Sequence, residues 1–248
     1  MNASAGMTRG FCVWVSVTAL AAGGLATAGL VLYAHFGDVL LEQGANGVSR
    51  LFVGEAQRFE NAGETDKALV LYDKAFHAGF SHPPDRSRAL TLKGLLLWKQ
   101  GRVKDAVETL SAALTGSAPN FGGAHALVEA LLHLRRVDEA QAVVRRWREA
   151  LGSAAAPEAR ADMLYCTGRV AQERGDAKGA RAAYDESAAL VPGNLAEYRI
   201  GVLCADAGNM AEAGRHWEKF LLGGASGEEA AKARELCRTA ESAPTIPQ

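Results

Sequence analysis

His125, Glu129 and His133 stand four residues apart and carry side chains of the types that hold metal ions. On one helix they share a face. Eight residues of α-helix rise about 12 Å, however, too far for both imidazoles to bind one ion through bonds of about 2 Å. The stripe therefore reads as polar lining of a helix face. Elsewhere the chain has no Gly-x-Ser-x-Gly elbow, no phosphate-binding glycine loop and no His-Glu-x-x-His. Cys166, Cys204 and Cys237 form no Cys-x-x-Cys or Cys/His cluster. Each reads as a small buried apolar residue, with a Cys166–Cys204 disulfide left open should the domain lie in an oxidising periplasm. The expectation is a protein that is not an enzyme, with no catalytic residue, no metal and no cofactor.

Charge excludes a second class. The 248 residues carry a formal net charge of −1, whereas a nucleic-acid surface needs Lys and Arg gathered in excess on one face. Arg135-Arg136 and Arg145-Arg146 sit among Asp138, Glu139 and Glu149, as on a solvated helix. No nucleic-acid partner is expected. With 48% hydrophobic residues the chain can bury an extended core or two small ones.

The elements that would position the polar stripe are clearest in Leu164 to Pro192. Gly168, the pair Gly175-Asp176, and Ala180, Tyr184 and Ala188 at helical spacing lead to a stop at Pro192. This pattern is two short helices joined by a tight turn. It recurs with an alanine of the second helix at Ala68, Ala106, Ala140, Ala180 and Ala213, at intervals of 38, 34, 40 and 33 residues. The longer intervals carry His82-Pro83-Pro84-Asp85 and Gly152-Ser153 through Pro157, which is loop and helix-start chemistry. Twelve residues before the anchors stand Ala56, Gly94, Val128, Gly168 and Gly201. Five before, at the turn, stand Gly63, Gly101, Arg135, Gly175 and Gly208, four of them free to adopt left-handed dihedrals. Four residues after come Tyr72, Leu110, Val144, Tyr184 and Trp217, and seven after come Ala75, Ala113, Trp147, Ser187 and Phe220, a buried stripe that only Ser187 breaks.

This skeleton resembles the tetratricopeptide repeat, a helix-turn-helix unit of about 34 residues that stacks into a superhelix. The resemblance covers about Ser49 to Leu222. The family's first-helix tryptophan is missing, its place taken by Phe52, Leu90, Ala124, Leu164 and Glu197, and its closing proline appears cleanly only as Pro192. The resemblance implies an all-α fold, an α-α superhelix of about five repeats. A Ser226-x-x-Glu229 capping box would open a C-terminal capping helix over 223–238, followed by a flexible tail at 239–248.

In this family ligands contact first-helix positions facing the superhelix interior. Carried over, these are Gln57, Glu60 and Asn61; Thr91, Trp98 and Lys99; His125, Glu129 and His133; Asp162, Tyr165, Arg169 and Gln172; and Tyr198 with Asp206. Aromatic rings mixed with amides and charges suit an extended or helical peptide. The family's carboxylate-clamp pattern of repeated Lys, Asn and Arg is not clearly present.

Ahead of the repeats, after a short segment at 1–10, residues 11–37 are apolar and contain no Asp, Glu, Lys or Arg. That length can cross a hydrocarbon core of about 30 Å. A transmembrane signal anchor is expected, because the run continues through Leu30, Val31, Leu32 and Tyr33 beyond Ala26-Thr27-Ala28, where a signal peptidase would cut. Gly24 and Ala28 form a small-xxx-small pair suited to helix pairing. Arg9 before the span and Asp38 and Glu42 after it place the N-terminus in the cytoplasm. The repeats then follow a juxtamembrane linker at 38–48, with a turn at Asn46-Gly47, on the far side, a periplasm if the alanine- and glycine-rich chain is bacterial. The functional expectation is a membrane-anchored scaffold or assembly factor that binds another protein or peptide in its groove. The alternatives are a non-catalytic regulatory or substrate-presenting subunit of a membrane enzyme and a self-assembling homo-oligomer.

Overall fold

A glycine-ended turn and a close helix crossing set the geometry of each helix pair. The computed structural model describes residues 44, 46–115, 121–152 and 155–242, and among them every regular element is helical. The helices are α1 (46–61), α2 (Thr65–Ala78), α3 (Pro83–Lys99), α4 (Val103–Ala113), α5 (Phe121–His133) and α6 (Val137–Ala150). They continue as α7 (Pro157–Glu173), α8 (Ala177–Leu190), α9 (Leu195–Asp206), α10 (Met210–Leu222) and α11 (Gly227–Ser242).

The five expected turns fall between α1 and α2, α3 and α4, α5 and α6, α7 and α8, and α9 and α10. Each closes with the same bond. The N–H of Glu64, Arg102, Arg136, Asp176 and Asn209 donates to the carbonyl five residues back, on Phe59, Leu97, Leu131, Ala171 and Cys204, at 2.8–3.0 Å. This is the longer of the two bonds of a Schellman helix end, and it requires the residue before the donor to be left-handed. Gly63, Gly101, Gly175 and Gly208 have φ between 75° and 80°. Arg135 does the same at φ 59°, the sole positive-φ non-glycine among the described residues. Asp176 and Asn209 then cap α8 and α10 by accepting from the N–H groups of Gly179 and Glu212.

The chain divides into two units, one ending at Asp85 and the other beginning at Arg86. In the first, Ala56, Ala68, Tyr72 and Ala75 are fully buried. Arg50 and Asn46 of α1 both reach the carboxylate of Asp85, at 2.7 and 3.3 Å. Asn46 is buried by this and Gly47 is helical, so the turn expected at Asn46-Gly47 is absent: α1 already runs through both.

The second unit holds four helix pairs and α11. Its anchor alanines 106, 140, 180 and 213 are all fully buried. The glycines twelve residues before them face the large residues four after. A Cβ built on Gly168 would lie 2.6 Å from Tyr184 Cδ1, on Gly201 2.6 Å from Trp217 Cδ1, and on Gly94 2.6 Å from Leu110 Cγ. Where that position is Val128, the residue at the matching place is the smaller Val144, and both are buried.

Ser187, the break in the apolar stripe, is fully buried and satisfied. Its hydroxyl donates to the carbonyl of Ala161 on α7 at 2.8 Å and accepts from Asn194 at 3.0 Å. Ser87 of α3 makes the mirror contact, donating to the carbonyl of Ala113 at the end of α4. The linker between α8 and α9 presses on the end of α10: Cβ atoms built on Gly193 and Gly223 would each meet the other's Cα, at 2.6 and 2.7 Å. Beyond it, α11 buries Ala230 and Ala233 in the same core as Trp217 and Phe220, covering the last pair as a capping helix should. It continues past the expected end near Arg238 to Ser242, so residues 239–242 are helical and not part of a tail.

The apolar run 11–37, the segment 1–10, most of the linker 38–48 and residues 243–248 lie outside the described residues. Among the described residues no helix is long and apolar enough to cross a membrane.

Candidate functional site: a polar strip on the first helices

The first helices α5, α7 and α9 bring most of the residues singled out above onto one surface of the second unit. Spacing of three and four along α5 and α7 puts their side chains in register. The His125 ring stacks on Tyr165 with centroids 5.3 Å apart. One turn on, Arg169 pairs with Glu129 at 2.5 Å, and Glu173 accepts from Arg135 at 2.6 Å. On the side toward α8, Tyr165 meets the ring of Tyr184 at 5.9 Å, and the Tyr184 hydroxyl donates to Gln172 at 2.9 Å. Arg199 of α9 also approaches Tyr165.

The electrostatics follow from burial. Burial, and then the carboxylate of Glu129, push the Tyr165 hydroxyl above the usual phenol range. For Arg169 burial opposes the charge, but Glu129 and Tyr165 outweigh it and hold the guanidinium charged. The Arg169 and Glu129 side chains are only 11% and 19% exposed, so the pair is largely desolvated. Two atoms of the strip, Glu129 Oε1 and Arg199 Nε, are buried without a hydrogen-bond partner among the described residues. Buried polar atoms are nearly always paired, and leaving one unpaired costs about 1–3 kcal/mol.

The structure sorts the predicted residues by depth. Tyr165 and Tyr198 are buried, and Tyr198 packs on Phe220 while its carbonyl accepts from Trp217. Both form the floor of the strip. His125, Glu129, Arg169 and Gln172 are half-buried walls, and His133 is exposed. Trp98 is half-buried against the core, and Lys99 beside it is exposed. Gln57, half-buried, and Asn61, exposed, belong to the first unit. Residue-type reasoning missed Arg199, a register position between two apolar neighbours whose role shows only from its approach to Tyr165. It also left Glu197 unexplained. This buried carboxylate at the family's tryptophan position accepts from His216 Nδ1 at 2.5 Å.

One model of the tetratricopeptide repeat matches residues 53–121 and 165–229, and a second such model matches 97–162. The chain belongs to the tetratricopeptide repeat family. Among solved structures, a tetratricopeptide repeat protein of Thermus thermophilus is similar, at 21% identity and a TM-score of 0.58, over 78% of this chain and 97% of that one. PilW, described as a widely conserved type IV pilus biogenesis factor, is similar at 17% identity and a TM-score of 0.60, over 79% and 92%. So is PilF of Pseudomonas aeruginosa, at 17% and 0.59, over 79% and 90%. At these identities the likeness is one of fold. No curated protein sequence matches. Tetratricopeptide repeat proteins bind other proteins or peptides, and here the first-helix face carries the polar strip.

Proposed function

We propose that this chain is a membrane-anchored scaffold or assembly factor that holds a peptide segment of another protein along the strip formed by α5, α7 and α9. The observation that carries this reading is the pair of buried, unpartnered atoms, Glu129 Oε1 and Arg199 Nε, on the face where the family binds polypeptides. A peptide backbone offers an N–H for the first and a carbonyl for the second. The aromatic floor of Tyr165 and Tyr198 supplies apolar contact. The apolar run 11–37 supports a single-pass anchor, and Arg9 ahead of it supports repeats in the periplasm. The pilus-biogenesis description of PilW is compatible with an envelope assembly role.

A photo-crosslinking residue at exposed His133, compared with one at exposed Glu186 on α8, tests the reading in native membranes. A discrete protein adduct from His133 and none from Glu186 is the expected result. The same adducts from both positions would refute groove binding.

A further inference from the structure

A second cluster lies apart from the strip, between α9 and α10. Cys204 Sγ in the last turn of α9, a carboxylate oxygen of Glu212 and a ring nitrogen of His216 on α10 all lie within 4.8 Å of one another. Glu212 and His216 are four residues apart, so they share a helix face. Their nearest atoms, Oε1 and Nε2, are 3.7 Å apart. Two such ligands on one tetrahedral zinc ion would be about 3.4 Å apart, so a few tenths of an ångström of closure suffice. The other nitrogen of His216, Nδ1, is held by the buried Glu197 at 2.5 Å. An imidazole that keeps its Nδ1 proton on Glu197 has Nε2 to offer to an ion on the Glu212 side. A carboxylate behind a histidine in this manner is the usual support of a metal-binding imidazole.

We propose that Cys204, Glu212 and His216 form a binding site for a borderline-soft divalent cation of the zinc class, with Glu197 as the residue that positions His216. Sulfur, nitrogen and one carboxylate oxygen match zinc and disfavour magnesium or calcium. Three protein ligands leave a fourth position open toward the adjoining pocket of ≈ 650 Å³, which Lys178, Arg181, Asp206 and Asn209 help to line. Arg181 is the rival cation. Its guanidinium lies 3.2 Å from Cys204 Sγ and 3.0 Å from Glu212 Oε1, and its Nε also holds Asp185 at 3.0 Å. Metal binding displaces the Cys204 thiol proton to solvent and leaves Arg181 on Asp185 alone. The site stands independently of the peptide strip and ties α9 to α10, next to the capping helix.

The test is cobalt titration of the full chain in detergent after chelation. One equivalent of cobalt should give a thiolate-to-cobalt charge-transfer band that zinc abolishes. Cys204→Ser should remove the band and Cys237→Ser should keep it. Glu197→Gln should weaken binding by about 10–100-fold, and Arg181→Ala should tighten it. A folded wild type and a folded Arg181→Ala that both lack the band at millimolar cobalt would overturn the site, as would a band that survives Cys204→Ser. Should Cys204→Ser lose helicity, Glu212→Gln carries the test: weaker cobalt binding supports the site and unchanged affinity overturns it.

Discussion

Gly168→Ala adds one methyl group at the tightest point of the clearest repeat. Its Cβ would fall 2.6 Å from Cδ1 and 2.9 Å from Cζ of Tyr184. That ring cannot step aside, because it is fully buried and its hydroxyl is bonded to Gln172. Overpacking of this kind costs about 1–3 kcal/mol. Alanine recovers about 0.5–1 kcal/mol of backbone entropy inside a helix. The net loss is therefore about 0–2.5 kcal/mol, centred near 1, and for a domain of this size each kcal/mol lowers the melting midpoint by roughly 2–4 °C. Tyr184→Val alone empties a buried volume and costs about 2–4 kcal/mol. In the double variant the alanine methyl enters the vacated space, as the Val128 and Val144 combination does in the third repeat. The double variant should then be less destabilised than the sum of the singles by about 1–3 kcal/mol, read from urea melts followed by circular dichroism. Additivity within about 0.5 kcal/mol would refute the claim that these two positions set the helix crossing.

Two further outcomes follow from the turns and the buried rings. Arg135→Gly removes about 1–2 kcal/mol of left-handed strain, set against glycine's greater unfolded entropy and an exposed ion pair to Glu173 of little worth; a net stabilisation of about 0.5–1 kcal/mol in the same melts is expected, and a loss would refute the strain argument. Burial raises the hydroxyls of Tyr72, Tyr165 and Tyr184 above the usual phenol value. Above about pH 10 the native state then binds more protons than the unfolded chain, so stability is full below that pH and falls as pH climbs past it. An ultraviolet titration should show tyrosinate absorbance from these residues only together with helix loss; ionisation of all the tyrosines with helicity intact would count against their burial.

Most of the fold was legible because the same few residue types recur at the same spacing from repeat to repeat. The anchor alanines, the turn residues and the stripe four residues on are short-range devices, and residue type alone carries them. Even Arg135 was legible as an exception, and its φ shows that the position dictates the backbone whatever side chain sits there. Ser187 was not legible as structure, because its partners Ala161 and Asn194 are reached only by folding. Glu197 failed for the same reason: a carboxylate where an apolar residue belongs makes sense only once His216 is seen beside it. The Cys204, Glu212 and His216 cluster escaped notice because its spacing matches no linear motif and spans two helices. At the strip, the sequence placed the residues on one face but could not order them by depth, so buried Tyr165 and exposed His133 looked equivalent.

The contact between Gly193 and Gly223 bears on where this architecture can vary in length. Ser81 and His82, in the turn between α2 and α3, are exposed, so that turn could take a tag or a reporter loop. The stretch between α8 and α9 cannot, since its main chain lies against the main chain at the end of α10, and the interval it spans, 33 residues between anchors, is the shortest of the four. A residue added at 193 would pry the last helix pair and its cap from their neighbour, which makes that bend the natural place to learn whether the last pair and its cap can be detached as a piece.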